Sequence, residues 1–251
     1  MNKNDFTGAF RHEDANKIAK LYEFLEKAMY TDYFIFLEEF YTIDIWQKVT
    51  AMKSYAEIST LGESDFERKA FAKGQGECPL VVVVMENHNP QKPLKHKDYL
   101  GGIMSLGVTR EKFGDLFVKK NRAYVVTFPT MANYIQSELS QVGSTEVSVS
   151  IEEYSAVKEE LVPTYITSEV IVSSLRLDVM VAEVASCSRK NAVDIIKRGQ
   201  VLVNYGEQKE KAKEVKEGDT LTIRGKGKFK IEKILGTTKK DNLKVGLMRF
   251  V

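Results

Sequence analysis

Ser173 to Gly227 reads SSLRLDVMVAEVASCSRKNAVDIIKRGQVLVNYGEQKEKAKEVKEGDTLTIRGKG. It opens with Arg176-Leu177-Asp178 and an amphipathic segment in which Leu175, Val179, Ala182 and Val184 recur at roughly helical spacing. Ser188 precedes Arg189 and Lys190 and is an N-cap candidate for a second helix, Arg189 to Arg198, with Gly199 as its stop. Val201 and Val203 then alternate with Leu202 and Asn204, and Asn204-Tyr205-Gly206 supplies turn residues. Glu217-Gly218-Asp219 leads into a short strand, Leu221 to Arg224. The expected layout is helix, helix, hairpin, strand.

This layout holds no histidine, no metal-spaced cysteines and no glycine-rich phosphate loop. It holds cations at both ends of one short helix: Arg189, Lys190, Lys197 and Arg198. Unpaired backbone N–H groups at a helix start favour anions, so Arg189 and Lys190 mark a candidate phosphate-binding corner. The alternative is a solvated helix with ordinary surface cations.

The order of residues bears on that choice. Arg176-Leu177-Asp178, Ser188-Arg189, the Ile196…Gly199-Gln200-Val201…Val203-Asn204 run and Gly218-Asp219 together resemble the S4-type, or alpha-L, RNA-binding domain. The resemblance implies phosphate contacts for Arg189, Lys190, Lys197 and Arg198, with Asn204 shaping the hairpin turn. Ser188, Arg224, Lys226 and Lys228 join the same candidate RNA-binding set. Arg176 is a further candidate, with a local pairing to Asp178 as its structural alternative.

Composition bounds the rest. A chain of 251 residues, 43% hydrophobic and 29% charged, fits a soluble globular protein of two or three small domains. No apolar run reaches the ~20 residues of a membrane helix. The first residues, MNKNDFTGAFRHEDANK, lack the apolar core of a secretion signal. Cys78 and Cys187 read as reduced thiols, which suits a cytoplasmic location. Residues 170–251 carry 18 basic and 10 acidic side chains, a net of +8; the first 169 carry 19 and 25, a net of −6. A basic end on an acidic body is an electrostatic footprint for nucleic acid.

Upstream, Asp5 to Phe71 reads as helical. Ile18, Leu21, Tyr22 and Leu25 recur at three and four residues, and Phe34, Leu37, Phe40, Tyr41, Ile45, Trp46 and Val49 follow. These aromatics read as core rather than a base-stacking surface. Lys73-Gly74-Gln75-Gly76 breaks the pattern. Six elements follow: a strand at Leu80–Met85, a helix at His96–Leu106, strands at Phe117–Val118 and Ala123–Phe128, a helix at Met131–Gln141 and a strand at Val147–Ile151. The expected fold is α+β, in three parts: a helical N-terminal region at 1–75, a ferredoxin-like or RRM-like βαββαβ central domain at 76–165, and a C-terminal S4-type domain at 170–251. Asn121 to Phe128 lacks the RNA-recognition-motif strand signature, and packing under the helices accounts for Tyr124 and Phe128 as well as base contact does. Arg110, Lys112, Lys119, Lys120 and Arg122 form a possible secondary RNA-binding set.

The central segment HKDYLGGIMSLGVTREKFGDLFV is similar to the signature of the bacterial YlmH family of S4-domain RNA-binding proteins, and Arg224 to Val245 fits that family's ending. The resemblance implies an RqcP-like ribosome quality-control factor. Such a factor binds rRNA and peptidyl-tRNA on the large ribosomal subunit while an RqcH/NEMF-type partner directs alanine tailing. It implies no cofactor, no metal and no catalysis. The residues agree with the last point. Gly101-Gly102 falls within a helix and Gly74-Gln75-Gly76 precedes a strand, so neither can cradle a nucleotide cofactor. Asp98, Asp115, His88 and His96 form no nucleophile–base pair. The alternative class is a cell-division scaffold whose acidic front, with Glu23, Glu26, Glu38 and Glu39, binds protein partners.

Overall fold

A computed structural model describes Met1 to Phe250. The chain divides into two compact units, Met1–Val162 and a second from Pro163 onward.

The first unit begins with helices α1 (Lys3–Ala9) and α2 (Ala15–Met29). Asn2 and Asp14 cap them by accepting from the N–H groups of Asp5 and Lys17. A helical reading of the whole first segment does not hold beyond this point. Ile35–Thr42 is strand β1, Ile43–Thr50 is helix α3, and Ile58–Leu61 and Arg68–Lys73 are strands β2 and β3. They form an antiparallel sheet in the order β1-β3-β2. Phe34, Leu37, Phe40 and Tyr41 fit helical spacing, but the run is rich in aromatic and branched residues that suit a half-buried pleated surface. Helix α3 starts only at Ile43, and Ile45 and Val49 turn inward with Phe6, Leu21 and Leu25.

Then come β4 (Val81–Asn87), α4 (His96–Ser105), β5 (Phe113–Lys119), β6 (Arg122–Thr127), α5 (Pro129–Glu138), β7 (Gln141–Val142) and β8 (Thr145–Glu153). The sheet runs β5-β6-β4-β8-β7, and every neighbouring pair is antiparallel. Leaving out the two-residue β7, the first strand lies between the third and fourth, the order a split βαβ unit requires. The four consecutive valines follow from burial on both faces. Val83, with Met85 and Val125, packs under Tyr99 and Ile103 of α4 and Ala132 and Ile135 of α5.

Val82 and Val84 face the other way, with Phe117, Tyr124, Val126 and Phe128. Tyr124 and Phe128 therefore share a face, but not the one under the helices. The first 75 residues cover its β5–β6–β4 part: Phe36 stacks on Phe128 at 5.5 Å between ring centres, Phe40 meets Phe128 at 5.3 Å, and Phe66 meets Phe117 at 5.4 Å. Asp115 of β5 accepts hydrogen bonds from the N–H groups of Glu67 (2.7 Å) and Arg68 (3.2 Å), tying the two sheets. Front and centre of this unit thus share one aromatic core.

The second unit contains β9 (Tyr165–Val172), α6 (Leu177–Val184), α7 (Arg189–Lys197), β10 (Val201–Val203), β11 (Gly206–Glu207), β12 (Thr220–Ile223), β13 (Gly227–Thr237) and β14 (Leu243–Phe250). Its six-stranded antiparallel sheet runs β11-β10-β12-β13-β14-β9. Leu177, Met180, Val181, Ala192 and Ile196 of the helices pack on Val201, Val203, Leu221, Ile223 and Ile231. No helix of the described residues is long and apolar enough to cross a membrane.

Phe40 is 1% exposed and packs on the middle sheet from the front segment. Phe40→Ala should lower the stability of the chain by about 3–5 kcal/mol in urea denaturation. A loss below 1 kcal/mol would show that the covered sheet face does not depend on this contact.

Candidate nucleic-acid interface

Helix α7 begins as its sequence dictates. Ser188 is extended, and its Oγ accepts from the Asn191 N–H at 3.2 Å. The helix ends at Gly199, whose φ of +67° is left-handed; a Cβ there would lie 2.7 Å from the Glu207 carboxyl. Ala192 and Ile196 point inward, which leaves Lys190, Asp194, Lys197 and Arg198 in solvent. The Arg224 N–H donates to Gln200 O at 2.9 Å, fixing that arginine just beyond the helix end. Lys226 follows in the same exposed turn. Lys190, Lys197, Arg198, Arg224 and Lys226 thus lie along the exposed side of α7 and the turn beyond its end.

The start of α7 is held to α6 by one carboxylate. Asp178 is 2% exposed. It accepts from Arg176 Nε (3.1 Å) and Nη2 (3.3 Å), and from Arg189 Nε (2.9 Å). Burial works to raise the Asp178 carboxyl, but the hydrogen bonds and charges of the two arginines outweigh it and hold it below the ordinary carboxylate range. Arg176 is therefore a structural partner of Asp178. Arg189 serves two purposes: one edge of its guanidinium is committed to Asp178, while its side chain remains 58% exposed.

Asn204 shapes the hairpin as expected. Asn204 and Tyr205 have φ of 50° and 69°, a two-residue left-handed turn between the paired Val203 and Gly206. The Asn204 side chain accepts from the Thr220 N–H at 2.8 Å and donates to Asp219 at 2.7 Å, so its amide is spent inside the fold. Lys228 is not a free surface cation. Its Nζ lies 4.4 Å from the centre of the Tyr205 ring and 4.3 Å from that of Phe250, and donates to the Tyr205 hydroxyl at 2.6 Å. Burial pushes the ammonium down to about 7, while the two ring faces favour its charge.

One set of cations was not legible as a site. Lys209, Lys211, Lys213 and Lys216 alternate with glutamates and read as a solvated run. The chain instead lays them across the start of α6, where Leu177 N–H donates to Lys213 O and Asp178 N–H to Lys211 O, at 2.8 and 3.1 Å. Lys211 and Lys213 are exposed near the Asp178 clamp.

The secondary set in the first unit separates. Arg110 donates to the carbonyls of Phe113 (2.6 Å) and Gly114 (2.9 Å) and lies on the Phe113 ring, with burial, then the Arg68 charge, pushing it down to about 9. Lys112 pairs with Glu39 at 3.4 Å and Arg122 with Glu86 at 3.0 Å. These three are engaged within the fold, although the Arg122 side chain stays 49% exposed, whereas Lys119 and Lys120 have no carboxylate partner among the described residues. Glu39, expected in an exposed acidic face, is buried and pairs with the partly exposed Lys20 and Lys112; Glu23 pairs with Lys3 and Glu26 accepts from the Tyr55 hydroxyl.

Two helices clamped through one aspartate, a basic helix face and a left-handed hairpin define an RNA-binding protein of the S4 class, and the S4 domain family matches residues 175–221. The family described as "Putative RNA-binding domain in YlmH" matches residues 80–156. A curated relative, "Ribosome-associated protein quality control protein P2" of Bacillus subtilis, is 32% identical over 195 residues, spanning 78% of this chain and 71% of the relative. The chain belongs to the YlmH family. It is also similar to a solved structure, "Cell division protein ylmH from Streptococcus pneumoniae", at 18% identity, covering 55% of this chain and 89% of that one with a TM-score of 0.47. Both matched families are RNA-binding rather than catalytic.

Asp178→Asn should cost about 1–2 kcal/mol, since two partly exposed arginines lose a charged acceptor. The clamp's contribution is present above the ordinary aspartate value near ~3.9 and is lost as pH falls through the depressed folded value. Denaturation curves of wild type and variant should therefore differ at neutral pH and converge below about pH 4. A difference unchanged at low pH would contradict an ionic clamp.

Proposed function

We propose that this chain is a non-catalytic factor that docks on the large ribosomal subunit, against rRNA and peptidyl-tRNA. There it supports ribosome-associated quality control, with an RqcH/NEMF-type partner directing alanine tailing of stalled nascent chains in the cytoplasm. The observation that carries this reading is the exposed side of α7 and the β12–β13 turn, whose Arg224 is tied to Gln200 just past the helix end. Lys190, Lys197 and Arg198, with Arg224 and Lys226, present charge without internal partners among the described residues, on a helix whose start is fixed by Asp178. A fixed array of cations suits phosphates held at the regular spacing of helical RNA, where recognition is by shape and backbone. The ribosome-associated quality-control role named for the Bacillus subtilis relative supports the ribosomal setting. The middle unit, with its interleaved strand order, is read as RRM-like in topology while its sheet face serves as core.

Because Arg189 also holds the fold, the informative variant spares it. Lys190→Ala/Lys197→Ala/Arg198→Ala should move the protein away from the large-subunit peak of a sucrose gradient at physiological salt. It should also flatten the salt dependence of binding by about 2–3 in log–log slope, as three lost phosphate contacts require. Enrichment of the wild type on subunits bearing peptidyl-tRNA is expected as well. Co-sedimentation of the variant equal to wild type at every salt concentration would exclude this face as the contact.

A further inference from the structure

On the face of the middle sheet opposite its helices, Phe36, Phe40 and Phe66 cover Phe117, Tyr124 and Phe128, while Ser148 and Ser150 on the β8 side stay exposed. A group of cations without carboxylate partners among the described residues lies at one end of this sheet, where two loops meet. One is the β4–α4 connection, HNPQKPLK, leading into α4; the other is the tip of the β5–β6 hairpin.

Asn87 and Asn121 tie these loops together. Asn87 is 1% exposed, unusual for an amide side chain. Its N–H donates to Asn121 O (2.8 Å), its Nδ2 to Lys92 O (2.9 Å), and its Oδ1 accepts from the Asn89 N–H (2.8 Å). Asn121 returns a bond from Nδ2 to Asn87 O at 3.3 Å. The Tyr99 hydroxyl, on the first turn of α4, also donates to Asn121 O at 3.2 Å. A buried amide satisfied in this way fixes both loops rather than leaving them to drift.

The loops bring together Lys92, Lys95, Lys97, Lys119 and Lys120. Lys95, Lys97 and Lys120 are exposed and Lys119 is half-buried; none of these four has a carboxylate partner among the described residues. Nearby acids are already engaged: Glu86 by Arg122 at 3.0 Å, and Asp98 by the Lys95 N–H at 2.8 Å. No large exposed apolar side chain among the described residues falls within 86–98 or 118–122, so the patch lacks the apolar centre of a protein-binding surface.

We propose that this loop end, carrying Lys95, Lys97, Lys119 and Lys120, is a second RNA contact, which grips the phosphate backbone of structured RNA while the S4-type unit makes the first. It rests on the reading that the chain binds large-subunit RNA, and it assigns the middle unit a place on that RNA. Two basic surfaces on one chain raise the effective concentration of each for the other's target.

The test uses the full chain and purified large ribosomal subunits as the probe. Lys95→Gln/Lys97→Gln/Lys119→Gln/Lys120→Asn removes four charges; asparagine is used at 120 because Lys120 has a φ of 54° that asparagine tolerates. Thermal unfolding should match wild type, and the log–log salt slope should flatten by about 3, with at least a tenfold loss of affinity at physiological salt. A variant that is stable and binds as wild type, while the α7 triple variant does not, would overturn this proposal and leave the S4-type reading standing. Should the quadruple variant unfold early, a photo-crosslinking residue at Lys120 decides: crosslinks to rRNA or tRNA support the proposal. Crosslinks to ribosomal protein alone, or none, overturn it. Failure of the wild type to bind large subunits at low salt would overturn both readings.

Discussion

A carboxylate withdrawn from water must find cations, and the second unit is arranged around that requirement at Asp178. Arg176 reaches it from the residue capping α6, and Arg189 reaches it from the first residue of α7. One buried charge therefore sets how the second helix leaves the first. Everything that helix presents to solvent, from Lys190 to Arg198, inherits its direction from that contact. The Arg189 guanidinium satisfies Asp178 along one edge and still carries exposed charge.

The same economy governs the first unit, with aromatic packing in place of an ion pair. The middle sheet buries one face under α4 and α5, and the β5–β6–β4 part of the other under β1 and the segments that follow it. Its remaining cations are sorted by the same logic. Arg110, Lys112 and Arg122 are engaged by carbonyls or carboxylates of the fold, while Lys95, Lys97, Lys119 and Lys120 at the loop end have no carboxylate partner among the described residues.

The S4-type elements were legible because each carries a local signal. Ser188 caps, Gly199 turns left-handed, Asn204 shapes a tight hairpin, and Ala192 and Ile196 mark the inner face. The βαββαβ order was legible for the same reason, with valine runs and prolines as punctuation. The early strands were not, since Phe34 to Tyr41 satisfy a helical period as well as a strand; only pairing of β1 with β3 separates the two. Nor could spacing reveal which cations are spent. Lys228 looks like its neighbours in sequence, and only the left-handed Tyr205 and the terminal strand bring rings to both sides of it. The Lys209–Lys216 run was hidden by its glutamates until backbone hydrogen bonds placed it beside α6.

The central claim is that RNA meets the exposed side of a helix whose direction Asp178 fixes. Hydroxyl-radical footprinting of the full chain, free and bound to large ribosomal subunits, tests it most directly. The account predicts protection on side chains of 188–199 and 224–226, accompanied by the loop-end Lys95, Lys97, Lys119 and Lys120, with Phe40 and Phe128 unchanged because they are core in both states. Protection confined to the first unit, with α7 as reactive bound as free, would contradict it.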